Sequence, residues 1–170
     1  FDIFLAIIIG ICSIPVLIVV LIIIKIDSVG PIIYRQIRVG RNGDFFMLYK
    51  LRTMQFDAEK NGPQWTQKND LRVTRFGRLL RALYIDELPQ LINIIKGDIS
   101  FVGPRPERPE FVEKLKKEIR FYEMRTLVQP GLTGWAQISH EAPISIEETK
   151  NKLAYDLYYI KNCSMIFDFI

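Results

Sequence analysis

Residues Ile3 to Ile24 form an almost unbroken apolar run, with Asp2 before it and Lys25 after it. No other stretch limits the fold as strongly. About 20 consecutive apolar residues are enough to cross the hydrocarbon core of a bilayer as a helix. The core helix of a soluble protein keeps a polar face, and this run has none. A cleaved leader fits poorly, because no basic segment precedes the run and no small-residue cleavage site follows it. Pro15 sits mid-run; it lacks an N–H and disfavours helical backbone at Ile14. The carbonyl near Ile11 then needs a partner, and Ser13 is placed to help. Two arrangements are open: a kinked spanning helix, or a helix-break-helix that enters and leaves on one side. The cations that follow (Lys25, Arg35, Arg38, Arg41, Lys50 and Arg52) place that side in the cytoplasm by the positive-inside tendency.

Beyond the run, 170 residues suffice for one domain with a real core. A net charge of +4 suits anionic partners: phosphorylated substrates, acidic lipid or nucleic acid. Nucleic acid is set aside, because no recognition motif accompanies the basic patches. No Walker or Rossmann glycine loop is present. His140 is the lone histidine, so a histidine-rich metal site is excluded. Cys12 and Cys163 have no metal-type spacing and read as unpaired thiols. The chain begins at Phe1 and reads as a piece of a longer protein, with residues 1–26 as a membrane anchor and 27–170 as a cytoplasmic catalytic domain.

Asn42-Gly43 is hairpin-turn chemistry, and Phe45 to Leu51 reads as the second strand. That strand delivers Lys50 and Arg52 to one face if extended; a solvated strand face is the plainer alternative. From Asp70 to Tyr84 the pattern is helical, with Arg72, Arg75, Arg78 and Arg81 on a broad face and Phe76, Leu79, Leu80 and Leu83 on the apolar side. Such a basic amphipathic helix beside an anchor suits a membrane surface. An ordinary solvated face has the same pattern.

Tyr84 to Pro109 is the chemically dense stretch. Leu88, Leu91, Ile92 and Ile95 predict one packed helix face running to about Lys96. Pro89 is tolerable only in a first turn, so the helix should begin near Asp86, with Asp86 as its N-cap. The helix dipole would then hold Asp86 ionised and favour phosphate nearby. Asp86 as a simple cap and Glu87 as a first-turn acid is the plainer reading. Pro104-Arg105-Pro106 follows as a proline-locked cation. Phe111 to Thr126 reads as a charged amphipathic helix without chemistry. Gln129 to Trp135 reads as a rigid, turn-rich loop, and Ile146 to Ile160 as a further helix.

Six motifs in order carry a family resemblance: the proline-broken apolar hairpin, Gly-Pro-Ile-Ile-Tyr-Arg-Gln-Ile-Arg-Val-Gly-Arg-Asn-Gly, Tyr-Lys-Leu-Arg-Thr-Met, Asp-Glu-Leu-Pro-Gln-Leu, Gly-Pro-Arg-Pro and Pro-Gly-Leu-Thr-Gly-Trp-Ala-Gln. Together they cover nearly the whole chain. In this order they resemble the bacterial sugar transferases, the monotopic polyprenyl-phosphate phosphoglycosyl transferases. The resemblance implies transfer of a sugar 1-phosphate from a UDP-sugar to undecaprenyl phosphate, with UMP released and Mg²⁺ required. It implies a mostly helical α/β fold with amphipathic surface helices, a small β-hairpin and a re-entrant helix-break-helix anchor on the cytoplasmic face of the bacterial inner membrane.

Carried onto this chain, the resemblance makes Asp86 the nucleophile of an aspartyl-phosphosugar intermediate. Glu87 becomes its partner in catalysis or in holding Mg²⁺ with Asp86. Arg105 becomes a diphosphate contact, Lys50, Arg52 and Arg81 further phosphate contacts, and Ser13 and Pro15 the anchor break. Gln129 stands where the family often has a cation. Membrane lipid is the remaining partner; the oligomeric state is left open, with a homodimer as one option. Two other functions fit the residues read alone: a metal-dependent hydrolase of a lipid or nucleotide diphosphate, and a basic membrane adaptor without activity.

Overall fold

The computed structural model describes residues 1–60, 62, 64, 70–139 and 145–169. His140 lies outside them. The described chain is mostly helical, with two small two-stranded sheets. It packs as two compact units. One holds residues 1, 3–35 and 49–95; the other holds residues 2, 36–48 and 96–170.

Helix α1 spans Asp2–Asp27 and continues through Pro15 as one helix. It is the one described helix long and apolar enough to cross a membrane, which is consistent with membrane anchoring. Ser13 does not reach the Ile11 carbonyl. Its Oγ donates to Gly10 O at 2.9 Å, three residues back, where a serine hydroxyl in a helix naturally reaches. The second half of α1 is packed: Val20 and Ile24 join Leu51 and Leu80 in a core that Leu17, Leu21, Ile32, Ile33, Phe76 and Ile85 complete. Most of the remaining apolar side chains of α1 are exposed.

Strands β1 (Ile33–Val39) and β2 (Phe45–Leu51) form the expected hairpin. Asn42 takes φ 55° and Gly43 φ 86°, as the Asn-Gly pair permits. Helix α2 covers only Arg75–Ala82, shorter than the pattern predicted. Asp70 accounts for the late start: its carboxylate accepts from the Arg72 backbone and guanidinium, a local turn that competes with helix. Thr74 caps the helix by accepting from Gly77 N at 2.9 Å.

The predicted helix from Asp86 to Lys96 is two elements: a 3₁₀ segment Ile85–Gln90 and helix α3, Leu91–Lys96. Pro89 cannot donate the i→i−4 bond that an α-helix would need there. The buried side of α3 is the predicted one only in part. Leu91 is buried as expected, but Asn93 and Ile94 share its side, whereas Ile92 and Ile95 are exposed together with Leu79, Leu83 and Tyr84.

In the second unit, β3 (Ser100–Val102) pairs in parallel with β4 (Gly131–Thr133). The turn-rich loop at Gln129 thus contains a strand. The pairing depends on glycine: a Cβ on Gly131 would collide with the Gly103 backbone, and one on Gly134 with Gly103 O. The predicted helix from Phe111 is likewise broken. Helix α4 is Pro109–Glu118, Phe121 turns the chain at φ 63°, and a 3₁₀ segment Tyr122–Thr126 follows. Helix α5 is Trp135–Ser139, and α6 is Ile146–Asn162 with Ser145 as its cap. Val39, Val112, Leu115, Ile119, Tyr122 and Leu153 form this unit's core. Both cysteines are free.

Candidate active site

Gly77 is where the site begins. A Cβ there would collide with Thr53 O, so only glycine lets α2 press against the end of β2. Thr74 N donates to the same carbonyl at 3.0 Å. One turn after Gly77, Arg81 donates from Nε to Thr53 Oγ1 at 2.8 Å. Helix α2 then ends, and Tyr84 reverses the chain in the left-handed region at φ 56°, ψ 17°. A non-glycine residue there costs about 1–2 kcal/mol. The turn swings the next residues inward: Asp86 is 6% exposed and Glu87 9%.

The N-cap position belongs to Tyr84, not Asp86, and no side chain caps the segment. The expected electrostatics change with it. Burial pushes the Asp86 carboxyl above the usual carboxylate range. The Lys50 charge opposes that shift, Glu87 beside it reinforces it, and Arg81 and Asp86's own amide oppose it further. Lys50 Nζ meets Glu87 Oε1 at 2.5 Å. Burial holds the Arg81 guanidinium below its ordinary value, against the pull of Asp86 and Asp70.

The structure therefore brings four of the singled-out residues together: Asp86, Glu87, Lys50 and Arg81. Arg52 goes elsewhere. Its Nη2 donates to Ser28 O at 2.6 Å and to Ser28 Oγ at 2.9 Å, just past the end of α1. Arg52 is buried, and burial lowers its guanidinium despite the Asp27 charge. Arg105 belongs to the second unit, where its Nη1 donates to Leu132 O at 3.3 Å.

Sequence reasoning missed several residues of the first unit. Asn93, fully buried, accepts from Tyr49 N at 3.2 Å and so pins the strand beside Lys50. Gln90 is 2% exposed, and its Nε2 is buried without a hydrogen-bond partner. The three-residue spacing Glu87, Gln90, Asn93 was the available signal, since a polar row at that spacing shares one face of a tight helix. Among the described residues, no group of three or more His, Cys, Asp and Glu is gathered. What the site offers a cation is the carboxylate pair.

A family model described as "Bacterial sugar transferase" matches residues 1–170. The chain belongs to that family. Over 154 residues it is 44% identical to the UDP-N-acetylgalactosamine-undecaprenyl-phosphate N-acetylgalactosaminephosphotransferase of Aeromonas hydrophila, covering 91% of this chain and 36% of the relative. Over 170 residues it is 40% identical to the UDP-glucose:undecaprenyl-phosphate glucose-1-phosphate transferase of Escherichia coli, covering 98% and 36%. A Caulobacter vibrioides protein with the same enzyme name is 41% identical over 155 residues, covering 89% and 57%. The chain thus spans between a third and three fifths of the length of these curated relatives.

Proposed function

We propose that the chain is a phosphoglycosyl transferase, moving a sugar 1-phosphate from a UDP-sugar to undecaprenyl phosphate on the cytoplasmic face of the bacterial inner membrane. The observation that carries the reading is the setting of Asp86. It is a buried carboxylate with a second carboxylate beside it and the charges of Lys50 and Arg81 acting on it. The names of the relatives support the donor and acceptor classes, since each names an undecaprenyl-phosphate acceptor and a UDP-sugar.

In the first step an Asp86 oxygen attacks the β-phosphorus of the donor. The bond from that phosphorus to the bridging oxygen breaks, and UMP leaves with the electron pair. In the second step a phosphate oxygen of undecaprenyl phosphate attacks the same phosphorus. The bond to Asp86 breaks, the carboxylate is restored, and the polyprenyl diphosphate sugar departs. Lys50 and Arg81 neutralise the phosphoryl oxygens that the carboxylate approaches, the main demand of phosphoryl transfer. Arg105 contacts the diphosphate. Arg52, buried and bonded to Ser28, is the least suited of the four cations to a phosphate. Two steps also let a soluble donor and a long lipid use the site in turn.

Mg²⁺ fits the donor set. It takes hard oxygen ligands, commonly one or two carboxylates completed by substrate phosphates. A cation beside Asp86 would also offset the burial that pushes its carboxyl up. Asp86 and Glu87 would hold it, and it would supply charge neutralisation at the diphosphate.

The anchor is read as re-entrant. Asp2 Oδ2 accepts from Ser100 Oγ at 2.5 Å and from Phe101 N at 3.4 Å. Ser28 accepts from Arg52. Pro15 inside the apolar run and the cations that follow the run support insertion from the cytoplasmic side. The exposed Leu79, Leu83, Ile92 and Ile95 then suit the lipid surface. A cysteine at residue 2 should resist labelling from the periplasmic side; labelling there means a spanning helix.

The deciding experiment is intact mass after mixing the full chain with Mg²⁺ and a panel of UDP-sugars, without lipid. One phosphosugar is expected to add, with UMP released, and both should vanish in Asp86→Asn. Lipid-dependent UMP release without any adduct would replace the covalent mechanism with direct transfer.

A further inference from the structure

The loop Pro104-Arg105-Pro106-Glu107 is held in an unusual way. Its two prolines have no N–H, so the chain there can be secured mainly through its carbonyls. All four carbonyls are engaged. Pro104 O accepts from Gly131 N at 3.0 Å and Glu107 O from Val39 N at 2.9 Å. Arg105 O accepts from Arg125 Nη2 at 2.8 Å, and Pro106 O from Arg38 Nη1 at 3.0 Å. The same two arginines close on the Glu107 carboxylate, Arg38 at 3.7 Å and Arg125 at 3.9 Å, and Lys152 joins at 3.0 Å.

Arg125 is the centre of this arrangement. It is 7% exposed. Besides the loop it pairs with Asp156 at 2.9 Å and donates to the Tyr122 hydroxyl at 2.9 Å. A guanidinium can serve such partners at once because its donors are fixed in a planar fork; an ammonium cannot. The loop lines a pocket together with Val39, Gly40, Tyr122, Arg125 and Thr126. Arg105, at the loop's tip, is half-buried.

We propose that Arg125 and Glu107 are positioning residues: they lock the backbone of the Pro-Arg-Pro loop so that the Arg105 guanidinium is presented to the donor diphosphate in one fixed geometry. This rests on the donor-contact role assigned to Arg105 above. Rigid placement of a cation matters here because a preorganised charge loses no energy in reorganising when the substrate arrives.

The test uses the full chain in nanodiscs with Mg²⁺ and the UDP-sugar that forms the adduct. Arg125→Lys keeps the charge and removes the fork. Arg38→Gln is a milder second variant at a partly exposed position, in case Arg125→Lys does not fold. Two quantities are read: hydrogen exchange of the peptide covering residues 103–108, and the KM and kcat for the donor. Exchange in that peptide and at the Val39 and Gly131 amides that donate to its carbonyls should rise about tenfold, while the α4 peptide stays as in the wild type. Donor KM should rise about tenfold with kcat changed far less, as in Arg105→Ala. The double variant Arg105→Ala with Arg125→Lys should be no worse than Arg105→Ala alone. Unchanged exchange in a folded variant overturns the lock. Faster exchange with an unchanged KM also overturns the positioning role, provided Arg105→Ala itself raises KM. If Arg105→Ala leaves KM unchanged, the donor-contact role of Arg105 falls and the positioning proposal falls with it; the exchange data alone then report a structural lock.

Discussion

Asp86 and Glu107 are both carboxylates among cations, and their acidities move in opposite directions. Burial would raise Glu107, but Lys152, Arg125 and Arg38 outweigh it and hold the carboxyl down at about 2. Burial raises Asp86, and its cations do not cancel the effect. The difference lies in where the cations are committed. Three cations close directly on Glu107. Near Asp86, Lys50 makes its short contact with Glu87, and Arg81 spends its Nε on Thr53. A carboxylate that cations have fully neutralised is a good strut and a poor nucleophile. One left buried and under-compensated is held at higher energy, which suits the proposed attack. The second unit thus shows what full ion pairing looks like, and the first shows a site that stops short of it.

That contrast breaks most visibly in stability. Glu107→Gln should cost about 2–3 kcal/mol, less than the roughly 3–5 kcal/mol for breaking a fully buried ion pair, because the Glu107 side chain is a fifth exposed. Asp86→Asn should lose activity while staying within about 0.5 kcal/mol of the wild type, or above it. Chemical denaturation of both variants decides this; a large loss in Asp86→Asn would make Asp86 a strut as well.

Acid should expose the same asymmetry. A carboxyl lower in the folded than in the unfolded state stabilises the fold once pH exceeds the unfolded value. The Glu107 contribution should therefore be complete above about pH 4.5 and fade as pH falls toward about 2. Glu107→Gln should flatten that part of the stability curve.

Activity should follow Asp86 in the other sense. On the proposed mechanism its carboxylate must be ionised to attack, so donor kcat/KM should fall along an acid limb as Asp86 is protonated, at a pH set by burial against Lys50, Arg81 and the bound Mg²⁺. Lys50→Met should move that limb to higher pH, and Glu87→Gln to lower pH, because Lys50 opposes the upward shift and Glu87 reinforces it. A limb that ignores both changes would remove Asp86 from the rate profile.

The smallest effect sharpens the comparison by acting on stability alone. Thr74→Ala removes the α2 cap and should cost about 1 kcal/mol in a melt. It should leave the acid limb in place.

Much of this was legible from residues alone. The Ile3 to Ile24 run announces its helix, since no polar face interrupts it. Asn42-Gly43 announces the hairpin, and the adjacent Asp86-Glu87 pair with Arg105 is visible as a string of letters. Periodicity failed where a single residue outranked it. Pro89 converts the first turn to 3₁₀ geometry, and the buried face of α3 turns toward Asn93 and Ile94. Ile119, in extended backbone, ends a helix that the charge pattern would have continued, and Phe121 then turns the chain. The strand at Gly131 was hidden because three residues carry too little periodicity to be seen, and its glycines read equally well as a loop.

The remaining facts needed distant parts of the chain in one place. Composition and local pattern sufficed for the long apolar helix, the hairpin and the identity of the acid pair, because those depend on neighbours within a few residues. The direction of Asp86's acidity, the diversion of Arg52 to Ser28 and the ring of donors around the Pro-Arg-Pro loop did not follow from any local pattern. Burial and ion pairing are sums over contacts between residues such as Arg38, Glu107, Arg125 and Lys152, and only the folded chain brings them within a few ångströms of one another.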